Sequence, residues 1–317
     1  MMDNEKKGKK GYIIMNQDFI SRLEHILETE QILQNEPMDR HTTFRIGGPA
    51  DLFVVPSDKE QVRKIVQICR EEGMPYYIIG NGSNLLVSDK GYRGVVIQLY
   101  TRMSGIYPDG DKICAQAGAS LAKIAAAALK EGLTGFEFAA GIPGTLGGAC
   151  IMNAGAYGGE MKDVLEEITV LTKEGEISTI SRENLDMGYR TSAAAKNGCT
   201  VLEAVIKLEK GDKEAIQKKM EELKEKRISK QPLEYPSAGS TFKRPKGYFA
   251  GKLIQDAGLR GCRIGGAMVS EKHCGFVINA GGATAADVDA LIRHISEKVK
   301  EHAGVTLEPE VKRLGEF

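Results

Sequence analysis

DLFVVPSDKEQVRKIVQICREEGMPYYIIGNGSNLLVSD, residues 51–89, decides the fold class. DLFVVPS (51–57) has the β-branched and aromatic content of a strand. KEQVRKIVQICREEG (59–73) spaces its apolar residues as a helix closed by Gly73, and PYYIIG (75–80) is a second strand. The three segments together make a βαβ unit. GNGSN (80–84) breaks the pattern before LLVSD resumes as a strand. In Gly80-Asn81-Gly82-Ser83-Asn84 the glycines let successive backbone amides point at one anion, and Ser83 and Asn84 add donors. The loop lacks the third glycine and following helix of a dinucleotide fingerprint, and the chain holds no G-x-x-x-x-G-K-[ST]. Alone, such a loop is more often a tight turn than a ligand site.

Upstream, QDFISRLEHILETEQILQN (17–35) places Phe19, Ile20, Leu23, Ile26 and Leu27 on one helical face, which predicts a helix ending before Pro37. Residues 1–16, with the cluster Lys6 to Lys10, read as a flexible, solvated tail. Downstream, GVVIQL (94–99), KICAQAG (112–118) and SLAKIAAAALKEG (120–132) continue an α+β pattern, with Ser120 as N-cap and Gly132 as C-cap of the helix.

Residues 135–159, GFEFAAGIPGTLGGACIMNAGAYGG, hold too many glycines for a regular helix or strand throughout. They predict an extended loop whose backbone lines a large flat ligand such as a flavin. Its candidate cofactor contacts are Gly141, Gly144, Thr145, Gly147, Gly148, Asn153, Ala154 and Gly155. Two such segments suit a dinucleotide with its pyrophosphate in one and its ring system against the other. A glycine-rich packing seam explains either one taken singly. Strands recur at EEITVLTKEG and GCTVLEAVIKLEKG, and DKEAIQKKMEELKEKRISKQP (212–232) is a charged connecting helix ended by Pro232. The helix YFAGKLIQDAGL, the strand CGFVINAGG and a helix from Ala285 capped by Thr284 predict a compact α/β cap, after which VTLEPEVKRLG closes the chain as a strand.

Lysine plus arginine equal aspartate plus glutamate at 43 each, so no whole-protein field favours nucleic acid or an anionic membrane. Six cysteines lie far apart with no C-x-x-C pair, which favours free thiols in a reducing, cytoplasmic compartment and no metal site. No apolar run has the length of a membrane span, and the start lacks the apolar centre of a signal peptide. Without G-x-S-x-G around any serine, hydrolysis drops in rank.

Three positions offer chemistry. Arg190 in GYRTS is a planar cation suited to a carboxylate, though a lone arginine is more often a surface residue. Ser240, beside Gly239 in SAGSTFKRP, sits in a turn that exposes its hydroxyl near Lys243 and Arg244, though such serines are usually only solvated. Glu310 in LEPEVKRLG falls on an apolar-flanked strand, where burial would raise its pKa, and by periodicity alone it faces solvent equally well.

Taken in order, HTTFRIGGPAD, GNGSNLLVSDKGYRGVVI, FEFAAGIPGTLGGACIMNAGAYGGE, YRTS, SAGSTFKRP, GGAMVSEKHCGFVINAGGATAADV and LEPEVKRLG closely resemble the UDP-N-acetylenolpyruvoylglucosamine reductase family across residues 37 to 315. The resemblance implies an α+β fold with an FAD-binding domain of the vanillyl-alcohol-oxidase (PCMH) type. That domain comprises two α+β subdomains, 17–90 with 306–317 and 91–225, beside a smaller α/β substrate-binding domain at 226–305. It implies NADPH as reductant, non-covalent FAD as carrier, and hydride transfer to the enolpyruvyl group of UDP-N-acetylglucosamine enolpyruvate in peptidoglycan precursor synthesis. Arg190 would clamp the carboxylate, Glu310 would stabilise the enolate in protonated form, and Ser240 would deliver the proton. Tyr189 would line the substrate pocket, with Lys243 and Arg244 near the diphosphate. A monomer of the type lacking an extra tyrosine-bearing loop is expected. The rivals are an oxygen-dependent FAD oxidase of the same fold, with His41 the only histidine near the first glycine loop, and a non-catalytic sugar-nucleotide binder.

Overall fold

The computed structural model describes residues 17–317, and the tail expected over 1–16 lies outside the described residues. The first sheet has the order β1-β2-β5-β3, with β1 Ile32–Pro37, β2 Pro49–Val54, β3 Tyr76–Ile79 and β5 Tyr92–Gln98. β2 and β3 both run parallel to β5, which lies between them. Helix α2, Lys59–Glu71, makes the crossover and is capped by Asp58, whose side chain accepts from the amide of Gln61 at 2.8 Å. Because β5 is an inner strand of this sheet, the first subdomain cannot end at residue 90, and the boundary expected there moves past Gln98.

The helix expected over 17–35 is also shorter. α1 covers Gln17–Glu24, a 3₁₀ turn follows at Thr29–Gln31, and Ile32 begins β1 against Val54. Pairing with β2 and the buried Gln31 side chain, which donates to the carbonyl of Val55 at 2.7 Å, override the local helical periodicity.

A second, antiparallel sheet joins Ile177–Ser181, Leu165–Leu171, Thr200–Lys207, β7 Lys112–Gln116 and β6 Ile106–Asp109 in that order. Helix α3, Leu121–Lys130, and the short α4, Leu146–Met152, pack on it through Leu121, Ile124, Leu146 and Cys150. Ser120 caps α3 as expected from its place before the alanine-rich run. The charged helix Lys213–Lys230 then leads to a three-stranded sheet, Arg263–Ile264, Ala267–Val269 and Val277–Asn279, covered by the helix Ala285–Ala303.

Phe44, Ile46 and Leu86 of the first subdomain are buried in the core of this last unit with Val288, Ile292 and Ile295. Burying each such side chain stabilises by about 1.5–3 kcal/mol, enough to seat the unit firmly. The chain then returns: Lys312–Leu314 pairs in parallel with β4, Leu85–Val87, which carries residue 310 back beside the loop 80–84.

The six cysteines are unpaired, and burial pushes the Cys69 thiol up to about 12. Among the described residues, no helix is long and apolar enough to cross a membrane, and no cluster of His, Cys, Asp and Glu is placed to hold a metal.

Candidate functional site

The two glycine-rich segments meet. A Cβ added to Gly80 would lie 2.2 Å from Oγ1 of Thr145, so the Thr145 side chain packs on the backbone at position 80 because that position has no side chain. Gly82 adopts φ +61°, with the carbonyl of His41 2.0 Å from where a Cβ would stand. At Gly144 and Gly148, by contrast, nothing lies closer than 3.8 Å to an added Cβ, and the missing side chains leave open room. That room belongs to a cleft of about 1020 Å³ lined by Gly80, Asn81, Gly82, Ser83, Asn84, Gly141, Gly144, Thr145, Gly147, Gly148, Ala154 and Gly155.

Two expectations are corrected here. The second segment is not an extended loop throughout, because Leu146–Met152 forms helix α4, and a Cβ at Gly147 would approach that of Ala117 to 2.9 Å. Asn153 does not line the cleft. It ends α4 in the left-handed conformation at φ 44°, and its buried amide donates to Glu160 at 2.8 Å and accepts from the amide of Lys162 at 3.0 Å. Asparagine tolerates this backbone, so its role is to turn the chain.

Arg227 was not foreseen. It lies on an almost wholly polar helix, Lys213–Lys230, where no periodicity singles it out, yet it lines the cleft against Gly141. Its Nε donates to Gln231 at 3.0 Å, no carboxylate pairs with it among the described residues, and burial pushes its pKa down. A half-buried cation without a counter-charge is costly unless an anion arrives.

Arg190, Ser240 and Glu310 line both this cleft and a second cavity of about 420 Å³. Tyr189 and Arg190 form the tip of a tight turn closed by Gly188 and Thr191, with Arg190 at φ 56°. Holding a non-glycine residue there costs on the order of 1–2 kcal/mol, strain of the kind found at functional positions. Nε of Arg190 donates to Oε1 of Glu310 at 2.7 Å. Glu310 is buried at 8% exposure, short of the final strand, with its amide bonded to the carbonyl of Thr241 at 2.8 Å. Burial pushes its carboxyl pKa up, opposed by the Arg190 guanidinium. Asn84 ties the first loop to this point by donating to the carbonyl of Glu310 at 3.2 Å.

Ser240 follows Gly239 at φ 74° and is exposed to both cavities, its segment stitched between Gly275 and Glu308 through the amides of Thr241 and Lys243. Tyr189 and Arg244 line the second cavity, joined by a 2.9 Å hydrogen bond from the Arg244 amide to the tyrosine hydroxyl. Lys243 does not line either cavity; its ammonium pairs with Glu308. His41 is also turned away, bonded to Glu36 at 2.9 Å and stacked on Phe53, so the oxidase rival loses its candidate tether. His273, which lies in one of the motifs of the resemblance but was given no role from the sequence, lines both cavities.

Comparison with known proteins finds one family. A family model described as the UDP-N-acetylenolpyruvoylglucosamine reductase C-terminal domain matches residues 231–314, and one for an FAD binding domain matches 50–181. The UDP-N-acetylenolpyruvoylglucosamine reductase of Lachnoclostridium phytofermentans is 54% identical over 306 residues, covering 95% of this chain and 99% of that protein. The Caldanaerobacter subterraneus enzyme of the same name is also 54% identical, over 95% of this chain and all of its own. The crystal structure of the Thermus caldophilus enzyme superposes with a TM-score of 0.76 at 36% identity, over 90% of this chain and 98% of that one.

Proposed function

The chain belongs to the UDP-N-acetylenolpyruvoylglucosamine reductase family, and we propose that it performs that reduction where its two cavities join, with Arg190, Glu310 and Ser240 around the reacting carbons. It is an FAD-dependent oxidoreductase of peptidoglycan precursor synthesis that uses NADPH. Among the described residues, only Arg190, Ser240, His273 and Glu310 line both cavities, and that coincidence carries the assignment.

The larger cleft suits FAD in size, in its open glycine faces at Gly144 and Gly148, and in the unpaired cation of Arg227. Bound there, FAD supplies the transfer of two electrons from NADPH to the enolpyruvyl carbon as hydride. Every remaining task falls to the chain. Arg190 engages Glu310 through Nε alone, which leaves both Nη groups for the substrate carboxylate. As negative charge spreads onto that carboxylate, the guanidinium and a protonated Glu310 stabilise it. Ser240 then donates its proton to the carbon bearing the ether oxygen and recovers it from solvent, to which it is exposed. The second cavity, with Arg244, Lys252, Arg260 and Lys272 around it, takes the nucleotide diphosphate. The unpaired cysteines support a cytoplasmic location.

An anaerobic visible spectrum tests the reading. The yellow protein should bleach with NADPH and regain its colour on adding UDP-N-acetylglucosamine enolpyruvate. Recovery with oxygen alone would favour the oxidase, and a protein that takes up no FAD would refute the assignment.

A further inference from the structure

Of the four residues shared by the two cavities, His273 is the one to which the reduction assigns no task. Its placement is built by the surrounding chain. The loop from Ser270 to Phe276 closes through the Ser270 amide on the Phe276 carbonyl at 2.9 Å, and the buried Ser270 hydroxyl accepts from the amides of Lys272 and His273 at 3.2 Å. The imidazole stands edge-on to Phe276, with centroids 5.0 Å apart. It rests on two glycines: a Cβ at Gly275 would come within 2.9 Å of its Cε1, and one at Gly251 within 3.3 Å.

The tautomer follows from one hydrogen bond. The Gly275 amide donates to Nδ1 at 3.1 Å, so Nδ1 carries a lone pair and the ring proton sits on Nε2. Burial lowers the pKa of the ring, which keeps this neutral form in place at physiological pH. Among the described residues Nε2 has no hydrogen-bond partner, and His273 lines both cavities. A fixed donor without a partner, beside Arg190 and Ser240, calls for an acceptor from the ligand.

We propose that His273 is a fourth substrate-contacting residue, donating its Nε2–H to the carboxylate of the enolpyruvyl arm beside Arg190. The inference rests on the reductase reading above. A neutral donor there orients the carboxylate without adding a second full positive charge, so the electron density that reaches it during reduction remains shared with Arg190 and Glu310.

The test compares His273→Phe, which keeps a flat ring but has no donor, with His273→Gln, whose amide nitrogen reaches close to the place of Nε2. Binding to the FAD-loaded protein is followed by the perturbation of its visible absorbance. UDP-N-acetylmuramate carries the carboxylate arm and UDP-N-acetylglucosamine does not. H273F should weaken the former about ten-fold and leave the latter unchanged, while H273Q restores most of the lost affinity. KM for the enolpyruvyl substrate should follow the same order, with bleaching by NADPH little altered. Equal weakening of both sugars, no weakening of either, or an H273Q variant as weak as H273F would overturn the inference alone. A wild-type protein that binds neither sugar would overturn the reductase reading as well.

Discussion

The proposed roles of Ser240 and Glu310 each turn on one proton, and the two can be followed separately. On the proposed roles, Ser240→Ala removes the donor to carbon, and Ser240 takes no part in the reaction with NADPH. Bleaching should stay near the wild-type rate while recovery of colour with substrate slows by about 10²–10⁴, as general-acid losses do; equal slowing of both half-reactions would remove Ser240 from this role. In the proposed reaction Glu310 holds its proton to stabilise the enolate, and burial raises its pKa. Recovery should therefore slow as pH climbs through that raised value. In Glu310→Gln, which cannot ionise, that alkaline limb should vanish, and stopped-flow traces across pH would show whether it persists. Arg190, Ser240 and Glu310 could be named from the sequence because each lies in a motif of the family resemblance, and the structure brings all three to both cavities. Lys243 sits in one of the same motifs, but the sequence could not show that Glu308 holds its ammonium. Arg227 lies in no motif and His273 lies in one that assigned it no task, because the lining of a cavity is not recorded in any local pattern.

Elements were read best where caps and periodicity agreed and worst where partners distant in sequence decided. Asp58 and Ser120 cap α2 and α3 from the residue just before each, and both helices start where the sequence places them. The helix expected over 17–35 fails because β1 needs Ile32 onward for pairing with β2. The most informative long-range partner is Asp89. Its carboxylate accepts from the amides of Ala285 at 2.8 Å and Ala286 at 3.0 Å, so the first subdomain supplies a cap to the helix Ala285–Ala303 in addition to its own Thr284. Asp89→Ala leaves two amides without that acceptor and should cost about 1–2 kcal/mol, lowering the melting midpoint by a few degrees. Asp89→Asn, which keeps one acceptor oxygen, should lie between the two. A midpoint unmoved in Asp89→Ala by circular dichroism would mean that water replaces the carboxylate at no cost.

The whole molecule is arranged so that the larger cleft draws on distant parts of the chain. The loop 80–84 belongs to the first subdomain, 141–155 to the second, Arg227 to the connecting helix, and Ser240, His273 and Glu310 to the segments beyond. A ligand that touches all of them binds the folded chain and not the unfolded one, so it stabilises by RT ln(1 + [L]/Kd), about 2.7 kcal/mol at a hundred-fold excess over Kd. The glycine segments announced the two walls of this cleft in the sequence, but its third wall came from a helix that the sequence marked only as a charged connector. Protein stripped of FAD should therefore melt lower than the holoprotein, and its midpoint should climb steadily with added FAD. Arg227→Met removes the cation but preserves much of the apolar stem. Because the cation is half-buried without a carboxylate, its loss should leave the stripped protein as stable as before or slightly more so, while the FAD concentration needed for a given rise in midpoint increases about ten-fold. Melting curves of both proteins against an FAD series separate the two effects: an unchanged FAD dependence would free Arg227 from any role in holding the dinucleotide, and no FAD dependence in the wild type would remove FAD from the cleft.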